Sequence, residues 1–250
     1  MSTRRILFSR NIRHKRYFIP STSTLPAGDD TLISALGGTS NVLAFYDGRS
    51  GVTAPGGNVS SWADVRGAGF GPSLSANGSP TYASNAISFA ASTDLHSATT
   101  ALFAITNAGS LLIVGSDSGG GNLAGVAPSA GAACIINPTD NSTDYVLWTD
   151  HSTCVSTVVV GTTLIPYACT WDGVQSVTLQ ILNQAVINGT ATVALTSGNC
   201  SLTLGGFFSN SGDNGHIKIA CAIFVNHQIN STEATAFSTY ATTYQGATAQ

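Results

Sequence analysis

The chain has 250 residues with 27 glycines, and only 8 % of its positions are charged. That length can bury one sizeable core without disulfide support, and the near-absence of Glu and Lys excludes a helical bundle. The formal charge of −3 conceals two unlike parts. Six of the nine bases lie within the first sixteen positions with no acid among them, leaving three bases against twelve acids in the remainder.

Residues 1–28 read as a basic arm followed by a linker, Ser21 to Gly28 (STSTLPAG), of turn-forming and small residues. The arm sets Arg4, Arg5, Arg10, Arg13, Lys15 and Arg16 among Ile6, Phe8, Ile12, Tyr17 and Phe18. Its apolar half suits a protein partner, whose pockets the Ile, Tyr and Phe side chains fill while arginines meet carboxylates. Nucleic acid, through phosphate contacts and stacking of Phe8, Tyr17 and Phe18, is the less favoured partner. The acidic remainder of a neighbouring copy is a third. No apolar run follows the bases as in a secretory leader, and none approaches the roughly 18 residues of a membrane span. The expectation is a chain made in the cytoplasm with no signal peptide.

Residues 29–250 form the expected domain. Short β-branched and apolar runs alternate with turn signals, predicting strands near 42–46, 86–90, 110–115, 132–136, 144–149, 155–160, 164–171, 175–182, 200–205 and 216–225. Asp47-Gly48, Asp172-Gly173 and Asn188-Gly189 are read as hairpin turns. Over 174–181 the period of two places Val177, Leu179 and Ile181 on a buried face. Ile217, Ile219, Cys221, Ile223 and Val225 are expected on one face, with Lys218, Ala220, Ala222 and Phe224 on the other. One helix is predicted, opened by a capping box at Asn230 and Glu233, striped by Phe237, Ala241 and Tyr244, and stopped at Gly246.

Five cysteines without a CxxC spacing are expected as buried free thiols, and none of the five histidines stands at ligand spacing, so no metal site is expected. The chain has a single glutamate, Glu233, which the helix cap uses. A glycosidase needs two carboxyl groups across a cleft. The acidic pairs Asp29/Asp30, Asp140/Asp144 and Asp144/Asp150 fall in or near loops. His151 and Cys154 lack a third orienting group, and Ser118 to Gly121 lacks the Lys-Ser/Thr ending of a phosphate loop.

Three passages together resemble the concanavalin A-like, laminin G-like jelly-roll family, especially versions in bacteriophage virion proteins. Residues 42–70 carry an apolar strand, an Asp turn and then Gly56-Gly57, Val59-Ser60, Trp62 and Asp64. Residues 163–191 carry the strand, the Thr170-Trp171-Asp172-Gly173 turn and the next strand, and residues 202–246 carry the closing glycine turn, last core strand and helix. The resemblance implies that Trp62 and Trp171 pack structurally. Asp47, Asp64 and Asp172 are read from local spacing as turn-fixing Asx residues.

The expected architecture is therefore all-β: a two-sheet antiparallel jelly-roll sandwich with an extended N-terminal arm and a short C-terminal helix. The expected function is that of a non-enzymatic structural protein of a bacteriophage particle, in tail, baseplate or head-surface decoration. Its arm would fasten it to other virion proteins or to copies of itself. The alternative is a carbohydrate-binding host-receptor module of a tail fibre, with Trp148, Asp150 and His151 as the candidate glycan contacts. A polysaccharide-degrading enzyme is disfavoured by the missing acid pair. No catalytic residue and no cofactor is expected.

Overall fold

Alternation of apolar with Ser, Thr and Ala side chains, broken by Gly, Asn and Asp, gives strands throughout the domain. The computed structural model describes residues 25–98, 103–104, 107–117, 123–128, 134–138, 145–149, 152–156, 162–174, 176–181, 185–190, 199–206 and 217–248. The arm positions Arg4 to Phe18, the loop 118–121, Asp140, Asp144, Asp150 and His151 lie outside these residues.

In chain order the strands begin with β1 (Val42–Asp47), β2 (Val52–Thr53), β3 (Ser61–Trp62), β4 (Leu74–Asn77), β5 (Thr81–Ala83) and β6 (Ala86–Phe89). Next come β7 (Asp94–His96), β8 (Phe103–Ala104), β9 (Gly109–Asp117), β10 (Ala124–Pro128), β11 (Cys134–Pro138) and β12 (Tyr145–Thr149). The last are β13 (Ser152–Ser156), β14 (Ile165–Trp171), β15 (Ser176–Ile181), β16 (Ile187–Thr190), β17 (Asn199–Leu204) and β18 (Ile217–Val225). Two helices, α1 (Asp29–Ala35) and α2 (Ser231–Tyr244), flank them.

The strands form two antiparallel sheets. The first runs β16-β15-β14-β9-β18-β6-β5, with β1 also on β18; the second runs β13-β12-β11-β10-β17-β7-β4-β3-β2, with β8 also on β17. Between them lies a continuous core that includes Tyr46, Trp62, Leu74, Phe89, Leu95, Ile113, Tyr167, Trp171, Leu202 and Phe224. This is the all-β, two-sheet sandwich expected. A second apolar layer covers the outer face of the first sheet, where Phe45, Leu112, Val114, Ile223 and Val225 meet Leu32, Ile33 and Leu36 beside α1 and Phe237, Tyr240 and Ala241 of α2.

The longer predicted strands are found within a few residues of their expected bounds, and β15 buries Val177, Leu179 and Ile181 as its alternation requires. Several expectations need correction. Asn188-Gly189 is no turn: it lies inside β16, where it pairs with Thr178 and Val177 of β15. The strand expected over 155–160 begins earlier, as β13, because its ladder with β12 sets its bounds. A second helix, α1, exists beside the predicted one. Finally β18 does not keep one alternation, because its register against β9 shifts between Ile219 and Cys221. Ile217 and Ile219 face the inter-sheet core, and beyond the shift Ala222 and Phe224 do, while Cys221, Ile223 and Val225 turn to the helices.

The capping box of α2 forms as predicted: Asn230 Oδ1 accepts from the Thr232 and Glu233 amides at 2.9 and 3.1 Å, and Glu233 Oε2 accepts from the Asn230 amide at 2.7 Å. The buried stripe differs. Tyr240 joins Phe237 and Ala241, while Tyr244 is 40 % exposed. Tyr244 sits in the last turn, with its ring 5.4 Å from the Arg49 guanidinium. Gly246, at φ 66, stops the helix. Among the described residues no helix is long and apolar enough to cross a membrane.

Candidate functional site

Three carboxylate clusters organise the polar chemistry of the described residues. The first ties both helices to β1. Asp47 ends β1, and its Oδ1 accepts from the Arg49 amide at 2.7 Å, the Asx geometry expected of the Asp47-Gly48 turn. That turn aims the Arg49 side chain back, so that Nε bonds both Asp47 oxygens and Nη2 reaches Asp29 Oδ1 at 2.6 Å. Tyr240 places its hydroxyl 2.9 Å from Asp29 Oδ1 and 2.7 Å from Asp47 Oδ2. Gln245 Nε2 donates to Asp47 Oδ2 and to the Tyr240 hydroxyl.

Both carboxylates are fully buried. Burial, and then the Asp47 charge, push the Asp29 carboxyl up to about 7. Burial acts upward on Asp47 too, but hydrogen bonds from Arg49 and Tyr240 outweigh it and hold that group below the usual carboxylate range. The pair thus divides into one carboxyl that readily keeps a proton and one that stays ionised. Burial also lifts the Tyr240 hydroxyl and the Cys221 thiol far above their ordinary values. This closes Cys221 as a nucleophile, since the thiolate is the reactive form. Cys221 is a buried free thiol, as expected, and Cys169 and Cys200 are buried as well.

The second cluster pins the loop after β3. Asp64 accepts from the Phe45 and Gly71 amides at 2.9 and 3.0 Å, from the Arg66 amide at 2.8 Å and from the Arg66 guanidinium at 2.6 and 2.9 Å. The carboxylate is fully used. Trp62 and Trp171 are buried with their indole N–H groups on backbone carbonyls, so both are structural. Asp172 accepts from the Val174 and Ser176 amides and fixes the turn in which Gly173 takes φ 81. Among the described residues no group of three or more His, Cys, Asp and Glu side chains is placed to hold a metal ion.

The third cluster is open. Asp94 and His96 stand two apart on β7, so the strand period puts both on its outer face. His96 Nδ1 lies 2.7 Å from Asp94 Oδ1, and Asn77 Nδ2 donates to Asp94 Oδ2 at 3.0 Å. An ionised carboxylate accepts only, so Nδ1 carries the proton and Nε2 of a neutral ring is left as an acceptor. Asp94 is buried, whereas the His96 side chain is 29 % exposed. Register extends the site sideways: His96 is opposite Ser75 of β4, Ser75 opposite Ser61 of β3, and Ser61 opposite Thr53 of β2. Ser75 and Thr53 are exposed and Ser61 is half-buried. The result is a row of hydroxyls ending at an oriented imidazole, with strands about 4.8 Å apart.

On its other side His96 is opposite Thr203, followed by Gly125, Ile135, Trp148 and Thr153. Thr203 and Gly125 are buried and close the row there. The backbone of Trp148, the expected glycan contact, stands at this register level in β12, and Asp150 and His151 lie outside the described residues. The sequence reading missed His96 because no strand was expected near 94–96. The Asp-x-His spacing was the signal available.

No family profile and no curated sequence matches the chain. Solved structures do. A sialidase of Trypanosoma rangeli in complex with a difluorinated nononic acid superposes with a TM-score of 0.61 at 12 % identity, over 82 % of this chain and 33 % of that one. The chain thus spans about a third of the sialidase. Domain 4 of AbnA, a GH43 extracellular arabinanase of Geobacillus stearothermophilus in complex with arabinotriose, matches with a TM-score of 0.57 at 13 % identity, over 79 % of this chain and 98 % of that one. The botulinum neurotoxin serotype D binding domain matches with a TM-score of 0.57 at 7 % identity, over 82 % and 52 %. At these identities the likeness establishes the fold alone, a β-sandwich.

Proposed function

We propose that the chain is a non-enzymatic glycan-recognition sandwich, displayed on a bacteriophage particle and held there by residues 1–28. The observation that carries the recognition is the half-exposed His96, fixed by Asp94 and continued by the Ser75, Ser61 and Thr53 hydroxyls along one register. An oriented acceptor beside several hydroxyls matches the alternating donors and acceptors of a sugar edge, and side chains on strands hold their positions without an ordering cost at binding. The described carboxylate pair closest to a glycosidase dyad, Asp29 with Asp47, has no exposed surface, which supports a binding role over hydrolysis. The likeness to an arabinanase domain seen with arabinotriose favours the same class of ligand. The particle and the anchoring role rest on the three family-like passages and on the basic arm preceding an acidic domain.

Screening the whole chain on a glycan array tests recognition. Binding of a defined glycan that His96→Ala weakens at least tenfold is expected. A silent array, or an unchanged His96→Ala profile, would overturn it. Release of reducing sugar from a host polysaccharide would overturn the non-enzymatic part, and particles that still incorporate a chain lacking residues 2–20 would overturn the anchor.

A further inference from the structure

The described domain holds three Lys and Arg residues, and they are not used alike. Arg49 is bound to Asp29 and Asp47, and Arg66 to Asp64. Lys218 has no carboxylate within ion-pair distance among the described residues, although acids outnumber bases four to one after the arm. It stands on the outer face of the first sheet, next to the stretch that the helices cover. There it is opposite Ser88 of β6 on one side and Ser116 of β9 on the other, and Ser88 is opposite Thr81 of β5. Four adjacent strands therefore present hydroxyl, hydroxyl, ammonium and hydroxyl at one level.

These residues line a hollow of about 390 Å³, together with Ser79, Thr162 and Ala90 and with Phe89 and Ile217, whose side chains turn to the inter-sheet core. That volume falls within the roughly 300–1,000 Å³ of small-molecule sites. We propose that this hollow binds one acidic sugar residue, with the sugar carboxylate on Lys218 and its hydroxyls on Ser88, Ser116 and Thr81. The chemistry selects among anions. A phosphoryl dianion is matched by more than one cation or by a nest of amides beside the cation, and a nucleic acid by several cations along a track. One ammonium among hydroxyls matches one negative charge on a polyhydroxylated ring. The site is independent of His96, which lies on the other sheet.

The test is titration of the whole chain with methyl glucuronide and with N-acetylneuraminic acid, using methyl glucoside and sodium sulfate as controls, followed by amide chemical shifts. Shifts confined to β5, β6, β9 and β18 are expected for at least one acidic sugar. Lys218→Met should weaken its binding at least tenfold, Ser88→Ala severalfold, and His96→Ala not at all. Equal binding of methyl glucoside would overturn the proposal, as would unchanged binding by Lys218→Met with an unaltered unfolding midpoint. So would sulfate that binds as tightly as the sugar, which would show attraction of any anion, or the absence of binding by both acidic sugars.

Discussion

The carboxylate clusters at Asp29 and Asp47 and at Asp94 are made of similar parts and end in opposite states. In the first, Arg49 from the turn after β1 and Tyr240 and Gln245 from α2 and its C-cap converge on the two acids, and neither carboxylate reaches water. In the second, Asp94 holds one imidazole whose side chain is 29 % exposed. Buried charge alone therefore does not mark a binding site. What marks it is a hydrogen-bonding edge that the chain itself leaves unused and fixed in direction.

The contrast can be broken at Arg49 first. Arg49→Met leaves the ionised Asp47 buried without its cation, and removing one partner of such a pair costs about 3–5 kcal/mol. An unfolding free energy from urea titration that fell by less than a third of that would mean the cluster is wetter than its geometry. Asp29→Asn gives a smaller, pH-dependent effect. The Asp29 carboxyl rises on folding from its ordinary 3.8 to about 7, so between those values the native state binds the extra proton. Stability contributed there is complete below about pH 4 and is lost as the pH climbs to 7. Asp47, held low, acts only at more acidic pH and does not oppose this slope. Urea midpoints at pH 4.5, 6 and 7.5 should slope downward in the wild type and flatten in Asp29→Asn; parallel curves would refute the assignment. The smaller effect of His96→Ala, which takes one donor from the buried Asp94 carboxylate, should be a loss of about 1–3 kcal/mol. A loss above about 3 kcal/mol would make the Asp94 cluster structural like that of Asp29 and Asp47.

Local signals in the sequence carried far. The cap at Asn230, the Asx turns at Asp47, Asp64 and Asp172, and the long apolar strands each depend on neighbours within a few positions, and each is found in place. Strands β2 to β5 and β7 were not legible because two to four residues such as Ser61-Trp62 or Asp94-Leu95-His96 show no period of their own; the flanking ladders make them strands. The first cluster was out of reach for a different reason. Asp29, Asp47, Arg49, Tyr240 and Gln245 span most of the chain, and only the packing of α1 beside α2 unites them. The face switch in β18 likewise belongs to its pairing with β9 and not to its own alternation.

The packing of α1 against α2 has one more consequence. Leu25 lies on the helical layer, Gly28 sits so close to the Tyr244 ring that an added Cβ would stand 2.3 Å from it, and the Thr248 amide donates to Leu164 just before β14. Both ends of the described domain therefore leave from the helical side. A tether at either end would grip the back of the sandwich, and the row from Thr53 to His96, on the far sheet, would be its front.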